Sequence, residues 1–182
     1  KNLMASVLPF TTSGINTVTS SDSRANGDVI VGQDFYRMVA IVEENNAEGE
    51  GWIMRPKTLY KTYQLRADAV AAGDASGPYL FNLIREAGDE IKPTIAGFPV
   101  TKSTQVSQVR SKGTSSALTY LLFGMWSDLL IGMFGALEFA ATAMGDTAFE
   151  RDQTWVRGIL SADIAPRHAN AFAILDNLDT TL

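Results

Sequence analysis

The most constraining feature of this sequence is an apolar run from Leu118 to Leu137 that contains a single charged residue, Asp128. A run of this length could form a transmembrane helix. However, an ionisable group at the centre of a span is costly, and Trp126 and Phe134 lie inside the run rather than at its two ends. Glycines also interrupt it, at Gly124, Gly132 and Gly135. We therefore predict a buried strand pair in a soluble protein, joined by a turn at Ser127 and Asp128.

The composition indicates a packed globular chain and gives no sign of nucleic-acid binding. Of 182 residues, 46% are apolar and 19% are charged, which is enough apolar material for a hydrophobic core. The net charge of −5 lacks the basic footprint of nucleic-acid-binding proteins. The basic residues Lys102, Arg110 and Lys112 have no interleaved aromatics, so we interpret Thr101–Ser116 as a solvated loop. The chain has no cysteine, which excludes disulfides, thiol nucleophiles and cysteine-based zinc sites.

The clearest helical pattern extends from Asp28 to Asn45. Its apolar residues recur at the spacing of one helical face, namely Val31, Phe35, Met38, Val39 and Val42. Asp28 or Asp34 supplies negative charge near the start of the helix, where the helix dipole favours it. We interpret the acidic pair Glu43–Glu44 as a solvated helix end.

The rest of the chain predicts one further helix and several short strands. The apolar run between Gly51 and Pro56 predicts a buried strand, and Pro56 suits the first turn of a helix that continues to Arg66. Pro99 places its strand at a sheet edge or among the first residues of that strand. Further strands are predicted at Gly97–Val100, Trp155–Asp163 and Ala171–Leu175, with a turn at Pro166–His168. Loops are predicted at Thr11–Gly27, which includes one short strand, at Ala67–Pro78 and in the tail Asp176–Leu182, whereas Lys1–Phe10 suits a helix end or a short strand.

The sequence contains no recognisable catalytic, cofactor-binding or metal-binding motif. His168 is the single histidine; Asp163 lies near it in sequence, but no serine occupies a G-x-S-x-G elbow, so we interpret His168 as a turn or packing residue. No phosphate-binding loop is present, and Gly49–Gly51 precedes a strand rather than a helix. Asp146 and Glu150 have helical spacing, which chance accounts for in a chain with 20 acidic residues. We expect no catalytic, cofactor-binding or metal-binding residues.

Several segments together resemble the tailed-phage major capsid proteins of the HK97 fold. The segment Gly51–Thr58, with the sequence GWIMRPKT, resembles the family's W-[IV]-M-N-P-x-T strand and helix. The other segments follow in the family's order: Gly77–Phe81, Ile95–Val100, Leu122–Gly132, and Phe149–Arg157 with Pro166–Leu175. The chain departs from the family at three positions, where Arg55 replaces an asparagine, Pro78 an arginine and Met125 a common aspartate. Residues 67–76 also form a longer loop than is usual.

This resemblance implies an α+β fold of the HK97 type, with a mixed sheet flanked by helices and long strands from a partial peripheral domain. It implies a segment at 1–27 that joins from the peripheral domain, an axial domain at 28–122, peripheral strands at 123–166, and a closing axial strand and tail at 167–182. The family's N-terminal arm, extended loop and spine helix precede the region that matches Lys1, so we expect the chain to be cut from a longer subunit.

The implied function is a structural subunit of an icosahedral phage or prophage shell, without enzymatic activity, cofactor or metal. Its expected partners are copies of itself in hexamers and pentamers around packaged DNA; no specific nucleic-acid site, membrane contact or small-molecule ligand is expected. The expected location is the virion, and the host cytoplasm during assembly. Four large apolar side chains can serve either the core or an interface, and we favour the core for most of them: Trp126, Met133, Phe134 and Trp155.

Three alternatives remain open, and the weakest of them is a membrane-associated protein through Leu118 to Leu137. An encapsulin-type nanocompartment shell shares the same architecture without being viral. A soluble carboxylate-dependent hydrolase belongs to a different class and requires two acidic side chains that converge in one apolar pocket.

Overall fold

The computed structural model describes residues 14–66, 79–81, 93–142 and 151–180. Within these ranges it contains two helices and nine strands. The helices are α1 (Gly32–Glu44) and α2 (Pro56–Thr62). The strands are β1 (Asn16–Val18), β2 (Gly51–Met54), β3 (Thr94–Ile95), β4 (Phe98–Lys102), β5 (Arg110–Lys112), β6 (Ser115–Gly124), β7 (Leu129–Thr142), β8 (Trp155–Pro166) and β9 (Phe172–Leu178). Short 3₁₀ turns occur at Trp126–Asp128 and Ala169–Ala171.

The strands form two separate sheets. A mixed seven-stranded sheet has the order β1-β9-β6-β2-β4-β3, with β5 paired to β6. The pairs β1/β9 and β2/β4 are parallel, and the other pairs in this sheet are antiparallel. The remaining strands, β7 and β8, form a two-stranded antiparallel ribbon. The predicted turn at Ser127 and Asp128 is confirmed, because the 3₁₀ turn there connects the sheet to the ribbon.

The core lies between α1 and the central strands of the sheet, and Trp52 on β2 is its centre. The Trp52 ring contacts Phe35 of α1 edge-on, with the centroids 5.3 Å apart, and Phe123 of β6 at 4.3 Å. Its Nε1–H donates to the carbonyl oxygen of Ile95 over 3.0 Å. The helical face predicted from the sequence is confirmed, since Phe35, Met38 and Val42 are fully buried and the other two predicted residues of that face are half-buried.

The apolar run therefore divides into two halves with opposite environments. Its first half is buried as predicted, because the β6 residues from Leu118 to Gly124 lie between β9 and β2. Its second half is β7, which is exposed along nearly its whole length. The prediction of a buried pair is wrong for this half because, within the described residues, no helix or third strand pairs with or covers the ribbon.

The expectation that large apolar side chains on this stretch belong to the core holds for one of four. Trp126 is partly buried, contacts the ring of Phe172, and donates from Nε1 to the carbonyl oxygen of Gly51 over 2.9 Å. By contrast, Met133 is 70% exposed, Phe134 89% and Trp155 48%. The expectation is wrong for these three, since sequence alone does not show which strands a sheet leaves uncovered.

Several element boundaries also differ from the prediction. α1 begins at Gly32 rather than Asp28, because Asp28 and Val29 form β-bridges to Leu178 and Asp22. The segment Thr101–Ser116 is not simply a loop, since it contains β5, which pairs with β6.

At the chain's C-terminal side, β8 continues to Pro166 and β9 continues to Leu178. The predicted tail is therefore wrong as far as Thr180, which is 1% exposed. Pro99 is not at an edge, because β4 lies between β2 and β3; the parallel pairing with β2 begins at the next residue, Val100, as the alternative placement predicts.

Some predictions lie outside the described residues. These concern residues 1–10, the loop at 67–78 and the helical spacing of Asp146 and Glu150. In the part of the chain that the structure does describe, no helix is long and apolar enough to cross a membrane.

The start of α1 is held by a buried carboxylate. Asp34 is fully buried in the first turn of the helix. It accepts hydrogen bonds from Ser20 Oγ at 3.0 Å, from Ser21 N at 2.9 Å and from Ser21 Oγ at 2.6 Å. A guanidinium nitrogen of Arg37 lies 3.3 Å away. The carboxylate thus fixes the segment before α1 to the helix and compensates the helix dipole.

We expect Asp34→Ala to lower the free energy of unfolding by about 2–4 kcal/mol, because it leaves buried donors without an acceptor. Urea unfolding followed by circular dichroism measures this change. Asp22→Ala is the matched control, since Asp22 pairs with the exposed Arg24, and exposed ion pairs contribute less than about 1 kcal/mol. Equal losses for both variants would contradict the role given to Asp34.

Candidate assembly surface

The β7–β8 ribbon exposes large apolar side chains, and the fold of the described chain does not explain this exposure. Its register extends from Leu129 opposite Pro166 to Thr142 opposite Trp155. The register shifts between Phe134 and Glu138, where Gly135 adopts a φ of 85° that only glycine adopts easily. β8 is paired without such an interruption. The shift inserts an even number of extra residues into β7. Side chains before and after the shift therefore alternate between the two faces in the same order.

The ribbon has two chemically different faces. Opposed residues of an antiparallel pair share a face, and successive residues alternate between faces. One face, which we call the apolar face, carries Leu129, Ile131, Met133, Phe139, Ala141, Val156, Gly158, Leu160, Ala162, Ile164 and Pro166. The other, the mixed face, carries Leu130, Gly132, Phe134, Glu138, Ala140, Thr142, Trp155, Arg157, Ile159, Ser161, Asp163 and Ala165. All charged residues of β7 and β8 therefore lie on the mixed face.

The apolar face is strongly exposed. Met133, Phe139 and Val156 are 70%, 72% and 70% exposed. A strand of twelve residues is roughly 40 Å long, so the face covers roughly 400 Å², as large as the largest apolar patch on a typical monomer. Moreover, a two-stranded ribbon on its own is marginally stable in water. Both facts make this face a candidate contact surface.

The base of the ribbon is attached to the sheet through two side-chain contacts. The hydroxyl and the backbone N–H of Ser127 both donate to the carboxylate of Glu50, the latter over 2.9 Å. Nδ1 of His168 lies 2.7 Å from Oδ2 of Asp128. In addition, the N–H of Arg167 donates to the carbonyl oxygen of Asp128 over 2.8 Å. These contacts join the two ends of the ribbon to each other and to the residue that precedes β2.

This arrangement differs from a catalytic triad. The structure pairs His168 with Asp128, whereas Asp163, its neighbour in sequence, lies in β8 opposite Gly132. The hydroxyl of Ser127 donates to Glu50 and not to the imidazole. His168 precedes the 3₁₀ turn at Ala169–Ala171, which agrees with its interpretation as a turn residue. The sequence missed the pairing because 40 residues separate its members.

A cleft of about 580 Å³ opens beside this joint, and its lining is poor in charge. It is lined by Asn45, Asn46, Ala47, Met125, Asp128, His168, Ala169, Asn170 and Ala171. A carboxylate-dependent hydrolase needs two converging carboxyl groups, but Asp128 is the one carboxylate among these lining residues, and it is already bound to His168. Among the described residues, no group of three or more histidine, aspartate or glutamate side chains could hold a metal ion.

Hydrogen bonds from Ser127 lower the pKa of Glu50. The folded chain therefore binds this proton more weakly than the unfolded chain, and the contact stabilises the fold fully above the ordinary glutamate pKa. This stabilisation is lost as the pH falls through the lowered pKa. As the pH falls, the urea midpoint of unfolding should decrease in the wild-type chain, and we expect Glu50→Gln to remove this part of the decrease. Glu48→Gln is the control and should keep it. A Glu50→Gln variant with the pH profile of the wild-type chain would contradict the stabilising role of Glu50.

Comparisons with known proteins identify a single family and a shared fold. The model of the phage capsid family matches residues 9–177, and no curated protein matches the chain. Among solved structures, the chain is similar to the holo-SrpI encapsulin complex from Synechococcus elongatus PCC 7942, with a TM-score of 0.58 and 15% identity over 99% of this chain and 57% of that one.

Two further structures show the same similarity. The capsid of an empty GTA particle gives a TM-score of 0.59 at 14% identity, over 91% of this chain and 50% of that chain. Microbacterium phage Oxtober96 gives a TM-score of 0.63 at 14% identity, over 93% and 53% respectively. The chain thus spans about half the length of the structures that it matches.

Proposed function

Because this chain belongs to the phage capsid family, we propose that it is a structural subunit of the icosahedral shell of a bacteriophage or prophage. Its copies would associate into hexamers and pentamers around packaged DNA, and its location would be the virion, after assembly in the host cytoplasm. The family and the α+β, HK97-like fold predicted from the sequence are confirmed.

The observation that carries this proposal is the apolar face of the ribbon. A shell subunit works by burying complementary surfaces against copies of itself, and head-to-tail contacts of this kind close into rings. The apolar face is large, uncharged and uncovered by the rest of the described chain. We assign it to contact with a second copy of the chain.

We further propose that the chain divides as the family's architecture implies. The part of the mixed sheet within 28–122, with the closing strand in 167–182, corresponds to the axial domain; residues 1–27, which contribute β1 to the same sheet, join it to the rest of the subunit. The ribbon, within 123–166, corresponds to peripheral-domain strands. Membership of the family supports a structural role, and the chain would carry no catalytic residues. Because the basic residues Arg110 and Lys112 contact Asp176 and Asp28, they do not form a free nucleic-acid site.

The second candidate is an encapsulin-type shell, favoured by the similarity to the SrpI encapsulin over 99% of this chain. Because that similarity is at 15% identity, it supports the fold that both kinds of shell share. The family model is of phage capsids and matches residues 9–177, and for this reason the phage shell is the first proposal.

We expect the chain in solution to have five or six times its monomer mass, or to form larger closed bodies. Light scattering across a concentration range, together with electron microscopy, measures this. The physical reason is that about 400 Å² of apolar surface per ribbon contributes roughly 10 kcal/mol when removed from water, before the costs of association. A stable dimer of fixed size would contradict the shell, and a strict monomer would contradict assembly through the ribbon.

A further inference from the structure

The joint between sheet and ribbon contains a titratable pair, His168 and Asp128. Nδ1 of His168 and Oδ2 of Asp128 are 2.7 Å apart, and the side chain of Asp128 is 13% exposed while that of His168 is 65% exposed. The carboxylate is thus held in a largely enclosed position, whereas the imidazole remains open to solvent and to protons. In this geometry, a change of charge on the imidazole alters the strength of its hydrogen bond to the fixed carboxylate.

The pair acts on both ends of the ribbon at once. Asp128 is the last residue of the 3₁₀ turn that leads into β7, and His168 follows β8 by two residues. The N–H of Arg167 also donates to the carbonyl oxygen of Asp128, and the N–H of Asp128 donates to that of Met125. A stronger contact between the two side chains therefore fixes the base of the ribbon relative to β6 and β9.

Other charged groups lie around the pair. Glu50, from the segment before β2, interacts electrostatically with Asp128, and its lowered pKa keeps it negative through the range in which histidine titrates. The end of α1 carries Glu43 and Glu44 and has no basic residue in its last turn, and the next two residues of the chain line the adjoining cleft. Arg167 is the neighbouring cation.

We propose that His168 and Asp128 form a pH-sensitive lock that fixes the ribbon to the sheet when the imidazole is protonated. Histidine ordinarily changes charge between pH 5 and 8. A neutral imidazole gives Asp128 an ordinary hydrogen bond, whereas an imidazolium gives it a charge-assisted bond that is about twice as strong. The ribbon is therefore held more tightly at mildly acid pH than at alkaline pH. That this lock controls an assembly surface rests on the proposed function; the lock itself does not.

The test is amide hydrogen exchange of the ribbon base, followed by NMR at pH 8 and at pH 5.5 and corrected for intrinsic exchange. We expect the protection factors of residues 129–131, 164, 165 and 167 to rise about three- to tenfold on acidification, because the charge-assisted bond is stronger than the neutral one. Amides of β6 and β9 serve as the internal reference and should not change. Since the chain has one histidine, His168→Gln should abolish the rise, and so should Asp128→Asn. Glu48→Gln is the control that should preserve it.

A rise that persists in His168→Gln, or one that survives in Asp128→Asn, would overturn the lock, and so would a wild-type chain that shows no rise. His168 is exposed, so its replacement leaves the core intact, and Asp128→Asn provides a second, independent variant. Exchange is measured on the chain at any association state, so a lock that works in a strict monomer would contradict assembly through the ribbon while supporting the lock.

Discussion

Replacing Trp52 by alanine is expected to lower the free energy of unfolding by about 3–5 kcal/mol. That is a large share of the roughly 5–15 kcal/mol that stabilises a typical domain. The Trp52 side chain is 1% exposed and contacts the rings of Phe35 and Phe123. Its removal leaves a cavity where α1, β2 and β6 meet, and it leaves the carbonyl oxygen of Ile95 without its donor.

Trp52→Phe separates the contribution of the ring contacts from that of the hydrogen bond to Ile95. Phenylalanine keeps most of the ring contacts but cannot donate to Ile95, so we expect a loss of about 1–3 kcal/mol. The measurement is the urea midpoint and slope by circular dichroism, at a concentration low enough that association does not contribute. Tyr60→Ala is the control, because this aromatic side chain is 53% exposed. Similar losses for Trp52→Ala and Tyr60→Ala would show that Trp52 is not the centre of the core.

The elements built around Trp52 were largely predictable, because local signals and burial agree there. The period of α1, the glycine and proline on either side of β2, and the apolar strand β6 each indicate the structure that forms. The family resemblance was predictable for a related reason. It depends on short segments such as Gly51–Thr58, whose residue types are needed by a strand that leads directly into a helix with proline at its first position.

The ribbon was not predictable in the same way. β6 and β7 have similar composition, and periodicity alone does not tell a strand that is buried within one chain from a strand that is covered by another. The difference arises from topology, since β6 lies between β9 and β2 while β7 pairs with β8 alone in the described structure. A usable signal was present, however. The two charged residues of β8, Arg157 and Asp163, have the same parity, and the register places Glu138 of β7 on the same face as both.

The contacts at the joint between sheet and ribbon could not be predicted from the sequence either, because they connect residues that are far apart in the chain. Glu50 and Ser127 are separated by 77 residues, and Asp128 and His168 by 40. The sequence does show why such contacts are needed. A run of apolar residues that leaves a sheet must change direction at a polar turn, and the two residues of that turn are the ones that acquire partners.

Introducing a charge on the apolar face is expected to abolish association while leaving the fold of each chain intact. In Met133→Asp the carboxylate would be buried, unpaired, in the contact between copies, which costs about 3–5 kcal/mol and weakens association by roughly 100- to 4,000-fold. Met133 is 70% exposed in the single chain, so the free energy of unfolding of the monomer should change by less than about 0.5 kcal/mol.

Phe134→Asp is the matched control, since it is the next residue of the same strand, is 89% exposed, and lies on the mixed face. Both variants place an aspartate in β7 and therefore impose the same penalty on strand formation. They differ in which face receives the charge. If light scattering shows a monomer for Met133→Asp and an assembled Phe134→Asp, the apolar face is the surface through which copies associate. Loss of mass in both would mean that the ribbon is enclosed on two sides, and loss in Phe134→Asp alone would assign the contact to the mixed face.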